Sequence, residues 1–175
     1  MNYQEIERKF LVKGYSYREL AESSSHIMQG YISSGHGRTV RVRIRDHQGY
    51  ITIKGPSADG GLSRFEFEKE ITLEEAQQLM TICEPGIIDK QRYLVKCGSH
   101  TFEVDEFRGD NAGLVMAEVE LQSAEEPFEK PDFIGQEVTG DKRFYNSHMR
   151  TLPFCLWKGT IPSTFRHLDL EGAGV

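Results

Sequence analysis

In the segment Val40-Arg41-Val42-Arg43-Ile44-Arg45 every second side chain is an arginine and every other one is aliphatic. A period of two is the side-chain repeat of a β-strand, so this segment sets a cationic face against an apolar one. The alternation recurs with either sign. Glu5, Glu7 and Lys9 share one parity, Thr52 and Lys54 oppose Ile51 and Ile53, and Arg64, Glu66 and Glu68 alternate with Phe65 and Phe67. Lys90 and Arg92 precede Tyr93 and Val95, Glu103 and Asp105 oppose Phe102 and Val104, and Glu118 and Glu120 alternate with Ala117, Val119 and Leu121. One such strand could simply turn its charges to water. Seven of them, with charges grouped in pairs rather than diluted among Thr, Ser and Asn, predict a closed antiparallel barrel with a charged lumen. Val40, Val42, Phe65, Phe67 and Val119 then point outward beneath helices.

Turn signals at 35–37, 46–49, 96–100 and 108–113 separate these strands and imply antiparallel connections. Gly55 to Gly61 lacks the GK[ST] of a phosphate-binding loop and reads as a flexible hairpin loop. Thr72-Leu73-Glu74-Glu75 opens a capping box for a helix through Ile82, with Ala76, Leu79 and Met80 on one face. Tyr15–Glu22, Pro131–Gly135 and Lys142–Arg150 read as shorter helices. The fold class is mainly antiparallel β with flanking helices (α+β), as one domain over residues 1–150. Residues 151–175 read as an irregular C-terminal extension, packed on that domain or trailing from it.

With 21 Lys plus Arg against 27 Asp plus Glu the net charge is −6, which argues against a chain that coats nucleic acid or an anionic membrane. No apolar run reaches spanning length and no h-region follows Met1, so a cytoplasmic protein is expected. Cys83, Cys97 and Cys155 are odd in number and far apart, and read as reduced, mostly buried thiols. No Ser-His-Asp or Cys-His arrangement offers a covalent nucleophile.

Charges confined in a lumen must be paired or neutralised by ions. The carboxylates of Glu5, Glu7, Glu118 and Glu120, with Asp105 as a further ligand, suit a hard divalent cation, Mg²⁺ or Mn²⁺. Arg41, Arg43, Lys54, Lys90 and Arg92 suit a polyanion rich in oxygens. A metal-chelated polyphosphate satisfies both sets. Glu66 and Glu68 either bind metal or hold the arginines in position. Of Lys142 and Arg143, one reaches the phosphates and the other is structural.

The residues resemble the CYTH superfamily, the triphosphate tunnel metalloenzymes, in its short single-domain bacterial form. Glu5-Ile6-Glu7-Arg8-Lys9 matches the family's opening ExExK, followed in order by Arg41-Val42-Arg43, Lys54, Arg64-Phe65-Glu66-Phe67-Glu68, Lys90-Gln91-Arg92-Tyr93, Glu103-Val104-Asp105 and Glu118-Val119-Glu120. Val138-Thr139-Gly140-Asp141-Lys142-Arg143-Phe144 closes the series, with Phe144 where the family usually has tyrosine. The match runs from Met1 to about Arg150. The resemblance implies an eight-stranded tunnel completed by the Tyr31 segment. It further implies that the ExExK carboxylates and the late ExE hold metal, while Lys9 and the other basic residues, with one of Lys142 and Arg143 among them, grip a triphosphate. Tyr31 matches a tyrosine that interacts with Lys9, and these two are the candidate catalytic residues; Arg64, Glu66, Glu68 and Glu103 support the rest. The expected function is metal-dependent hydrolysis of tripolyphosphate or a nucleoside triphosphate by water attack on the terminal phosphorus. Two alternatives stand beside it: a class IV-type adenylate cyclase, and a polyphosphate- or nucleotide-binding module without turnover. The expected partner is the triphosphate, with no nucleic acid and no membrane; a homodimer is left open.

Overall fold

The computed structural model describes residues 3–172, and the alternation becomes nine strands. They are β1 (Gln4–Val12), β2 (Ser23–Ser33), β3 (Thr39–Arg45), β4 (Gln48–Ala58), β5 (Ser63–Ile71), β6 (Ile88–Cys97), β7 (His100–Phe107), β8 (Val115–Leu121) and the short β9 (Ile134–Glu137). Three helices accompany them: α1 (Tyr17–Leu20), α2 (Leu73–Met80) and α3 (Asn146–Met149). All pairings are antiparallel, in the order β5-β4-β3-β2-β6-β7-β8-β1-β9, and β1 also pairs with β5, which closes an eight-stranded barrel.

β1 makes that closure with a divided edge. One side pairs with β8 from Ile6 to Leu11. The other side meets β5 only at Gln4↔Phe65, Glu5↔Arg64 and Ile6↔Ser63, then leaves it and joins β9 at Phe10 and Val12. In the gap between the two, the Lys9 amide donates to Thr139 Oγ1 (2.9 Å) and the Val138 amide donates to the Lys9 carbonyl (2.8 Å). The segment after β9 therefore fills the place where the seam opens. Here the β4–β5 turn and that segment approach so closely that a Cβ on Gly140 would lie 2.1 Å from the Gly60 carbonyl oxygen. Gly140 also has φ +82°, so only glycine fits there without strain.

Residues facing each other across an antiparallel ladder point the same way, so the register extends one charged face around the barrel. Lys9 stands opposite Glu118 and Glu118 opposite Glu103; Arg92 opposes Asp105; Arg41 lies between Tyr31 and Thr52, and Lys54 opposes Glu66. The other parity packs outward. Phe10, Phe102, Val104, Ala117 and Val119 form one core with Tyr17 of α1 and Phe133 from the loop before β9. α2 begins with the expected capping box: Thr72 Oγ1 accepts from the Glu75 amide and Glu75 Oε1 from the Thr72 amide. It packs on β3 and β4 around the buried Ala76.

A second core closes one end of the barrel. Leu11, Phe107, Leu114 and Met116 meet Phe144, Phe154, Trp157 and Ile161. Phe154 to Leu170 form successive 3₁₀ turns and supply three of these buried side chains, so this part of the extension is packed on the barrel.

Several local expectations are corrected. Pro131–Gly135 is a turn leading into β9, because the free edge of β1 offers Ile134 a strand partner at Val12. Only Tyr17–Leu20 of Tyr15–Glu22 is helical, and Lys142–Arg150 breaks at Tyr145 (φ −77°, ψ 128°) between a 3₁₀ turn and α3. β4 runs through Gly55 to Ala58, with its register shifted between Lys54 and Ser57, where a loop was expected. Phe65 is 44% exposed beside Tyr3 rather than under a helix, and Cys155 is exposed while the half-buried Cys83 and Cys97 are also free. Among the described residues no helix is long and apolar enough to cross a membrane.

Phe144 is 0% exposed and meets Trp157 edge-on, with 5.3 Å between ring centroids. Phe144→Ala is expected to destabilise the protein by about 3–5 kcal/mol, read from urea unfolding. A loss below about 1 kcal/mol would mean that the end of the barrel collapses around the missing ring.

Candidate active site

Seven of the eight barrel strands send a side chain into one cavity, β1 through Lys9, β2 through Tyr31, β3 through Arg41, β4 through Lys54, β5 through Arg64, β6 through Lys90 and β8 through Glu118. The space is about 700 Å³, counting the part open to solvent. The parity of the strands therefore brings together residues that lie far apart in sequence.

The cations are held by neighbours rather than free. Asp105 accepts Arg92 through both oxygens (2.7 and 2.8 Å) and also pairs with Lys90 Nζ at 2.9 Å, while Glu103 takes Arg92 Nη1. Arg43 donates Nε and Nη2 to Gln29 Oε1 (3.1 and 2.9 Å). Arg41 reaches Thr52 Oγ1 (3.0 Å) and Glu68 Oε2 (3.4 Å), leaving its buried Nε without a hydrogen-bond partner among the described residues. Arg64 donates twice to the Gly55 carbonyl at the mouth. Lys54 Nζ lies between Glu5 (2.9 Å) and Glu66 (3.3 Å).

The predicted carboxylates separate into groups. Glu7 and Glu118 line the cavity, and Glu118 Oε1 is 3.5 Å from Lys9 Nζ. Glu5 is engaged with Lys54. Glu120, directly across from Glu7 in the ladder, is exposed and lines a second cavity with Glu103. Arg92 borders both cavities, so its pairs with Asp105 and Glu103 form the partition between them. Asp105 is 2% exposed and serves the two cations.

The segment that fills the seam contributes groups that no strand periodicity signals. The Tyr145 ring lies 5.0 Å from Lys9 Nζ, and Asn146 Oδ1 accepts from Lys90 Nζ (2.9 Å) and Gln29 Nε2 (3.2 Å). The Tyr31 hydroxyl accepts from Gln29 Nε2 (3.0 Å), while Tyr145 supplies the ring beside Lys9. Lys142 lines an outer vestibule shared with Arg64 and Tyr145. Arg143 instead pairs with Asp141 (2.7 Å), donates to Thr160 Oγ1 and covers Trp157, so it anchors the extension outside the cavity.

Residues 3–145 match the CYTH domain. The chain belongs to the CYTH domain family. It is 45% identical over 152 residues to an inorganic triphosphatase of Acetivibrio thermocellus, covering 86% of this chain and 96% of that protein. It is 36% identical to an inorganic triphosphatase of Nitrosomonas europaea, covering 81% and 93% of the two chains. A crystal structure of an inorganic triphosphatase superposes with a TM-score of 0.58 at 29% identity, covering 83% of this chain and 97% of that one.

In this CYTH domain the two cavity carboxylates are driven apart electrostatically. Burial, then Glu118 and Glu5, push Glu7 up to about 8. Burial acts the same way on Glu118, but Lys9, Arg92 and Lys90 outweigh it and bring it down to about 2. Burial, with Arg92 and Arg43, pulls Lys90 below the usual lysine range, while its contact with Asp105 favours the ammonium. Lys54, although buried, is raised to about 12 by Glu7 and Glu5. Glu7 thus needs a positive charge or a proton, and beside the hard oxygens of Glu118 it fits a divalent cation.

The same shift sets a pH dependence. Folded Glu7 keeps its proton up to about 8, whereas at its ordinary value of 4.5 the unfolded chain has already released it. The stabilisation linked to that proton is complete below about 4.5 and is lost as pH rises through about 8. Glu7→Gln should therefore melt higher than wild type at pH 9 in EDTA, with the difference shrinking toward pH 4.5. Parallel melting curves across this range would show that Glu7 is already ionised in the metal-free protein.

Proposed function

We propose that this protein hydrolyses inorganic tripolyphosphate to diphosphate and phosphate, with Mg²⁺ or Mn²⁺ held by Glu7 and Glu118 and supported by Glu5. The observation that carries the reading is the convergence of cations from β1, β3, β4 and β6 on one cavity, next to a carboxylate that requires a positive partner. The names of the relatives support it: both are inorganic triphosphatases and both are matched over nearly their full length. Residues 1–150 form the catalytic domain and 151–175 an extension that stabilises its closed end.

A tripolyphosphate carries its charge along a chain with no base or sugar to read, so recognition reduces to matching oxygens with donors. Arg41 offers its unpartnered Nε, and Lys90 has an N–H beyond those taken by Asp105 and Asn146. Lys9, between Glu118 and the Tyr145 ring, directs its ammonium at the terminal phosphate. When bound, the divalent cation supplies charge neutralisation and lowers the pKa of a coordinated water. Water attacks the terminal phosphorus and yields its proton to solvent, the bond to the bridging oxygen breaks, and the negative charge developing on diphosphate is met by Arg41, Arg43 and Lys54.

The test is a panel of tripolyphosphate, ATP, GTP and thiamine triphosphate with Mg²⁺ or Mn²⁺, reading both phosphate and cyclic nucleotide. Tripolyphosphate should turn over at least as fast as ATP, and EDTA should abolish the activity. Glu7→Gln together with Glu118→Gln should lower it at least about a hundredfold, each ligand contributing about 1.4 kcal/mol or more. Cyclic AMP from ATP, with tripolyphosphate acting only as an inhibitor, would make the protein a cyclase. Binding without phosphate release would make it a binding module.

A further inference from the structure

Asn146 stands at the start of α3, in the segment that fills the open seam, yet it bonds to groups on two barrel strands. Its orientation is determined by its partners. A lysine ammonium can only donate, so the atom 2.9 Å from Lys90 Nζ is the amide oxygen. Gln29 is fixed by the same reasoning, because Arg43 donates twice to its oxygen and leaves its nitrogen for Tyr31 and Asn146. The result is one connected path, Arg43 to Gln29 to Asn146 to Lys90 to Asp105, with Asn146 as the one member outside the barrel.

The need for that oxygen follows from the charges around Lys90. Lys90 is 1% exposed, and its carboxylate partner Asp105 is also engaged through both oxygens by Arg92. One carboxylate thus serves two buried cations. A second acceptor fixes the ammonium between the wall and the cavity, where otherwise it would swing fully toward Asp105.

We propose that Asn146 is a positioning residue for phosphate recognition: its side-chain oxygen holds Lys90 in the orientation that meets the triphosphate. The proposal rests on the hydrolase reading above and adds to it a residue of the seam-filling segment that acts through Lys90.

A double-mutant cycle tests this, with Asn146→Ala, Lys90→Ala and the combined variant assayed on tripolyphosphate with Mg²⁺. Asn146→Ala should lower kcat/KM about tenfold, the worth of one buried hydrogen bond to a charged group. Lys90→Ala should lower it further, and the combined variant should match Lys90→Ala within about twofold, because Asn146 then has no lysine to hold. Asn146→Ser, too short to reach Lys90 and tolerated at a helix start, should repeat the pattern if the alanine variant folds poorly. Losses that multiply in the combined variant, or an Asn146→Ala enzyme with wild-type kcat/KM, would overturn the proposal. The same cycle is read in tripolyphosphate affinity by calorimetry in EDTA. If wild type binds tripolyphosphate but does not cleave it with Mg²⁺ present, the hydrolase reading fails while non-additivity in affinity still decides the role of Asn146. If wild type neither binds nor cleaves it, both fall.

Discussion

Asp105 is the carboxylate on which the charged interior depends. Two buried cations, Arg92 and Lys90, share it, and burial of either without a counterion would cost several kcal/mol. The cations in turn hold the acid strongly ionised, well below the usual aspartate range despite its burial. Removing this one group would leave two positive charges side by side on β6, with only Arg92 still paired to another acid, Glu103, among the described residues. A site built to receive a polyanion must carry excess positive charge and still fold before the anion arrives, and sharing one acid between two bases meets both demands.

The barrel makes this arrangement inexpensive in sequence. Strand parity aims every second residue inward, so short alternating motifs deliver cations and acids to one space without any long-range design beyond register. Closure then removes most of the bulk water that would screen them. The apolar cores lie on the opposite parity and at the sealed end, so the charged and apolar networks do not compete for positions.

This division explains what could be read from the sequence. Arg41, Lys54, Lys90 and Glu118 announce themselves because each sits in a segment whose alternation identifies both a strand and its charged face. Tyr145 and Asn146 do not, since they occupy a turn with no repeat and reach Lys9 and Lys90 only through tertiary packing. Residues 131–135 lead into a strand because an unused edge of β1 was waiting, which no local propensity records. Asp105 and Glu120 share the acidic signature of Glu7 and Glu118. What separates them is depth in the barrel: one is buried among cations and the other faces the far cavity.

The divided edge of β1 also bears on how the molecule is made. Lys9 finds its ladder partner in Glu118, and the rest of the β1 edge waits for residues of β5 and β9. During synthesis the hairpins from β2 to β5 can pair locally while β1 remains an unsatisfied strand carrying acids and a lysine. Contacts so distant along the chain form slowly, and an unpaired strand is ordinarily a site of self-association. The glutamates and lysine of β1 that later serve the cavity would meanwhile keep that waiting strand soluble.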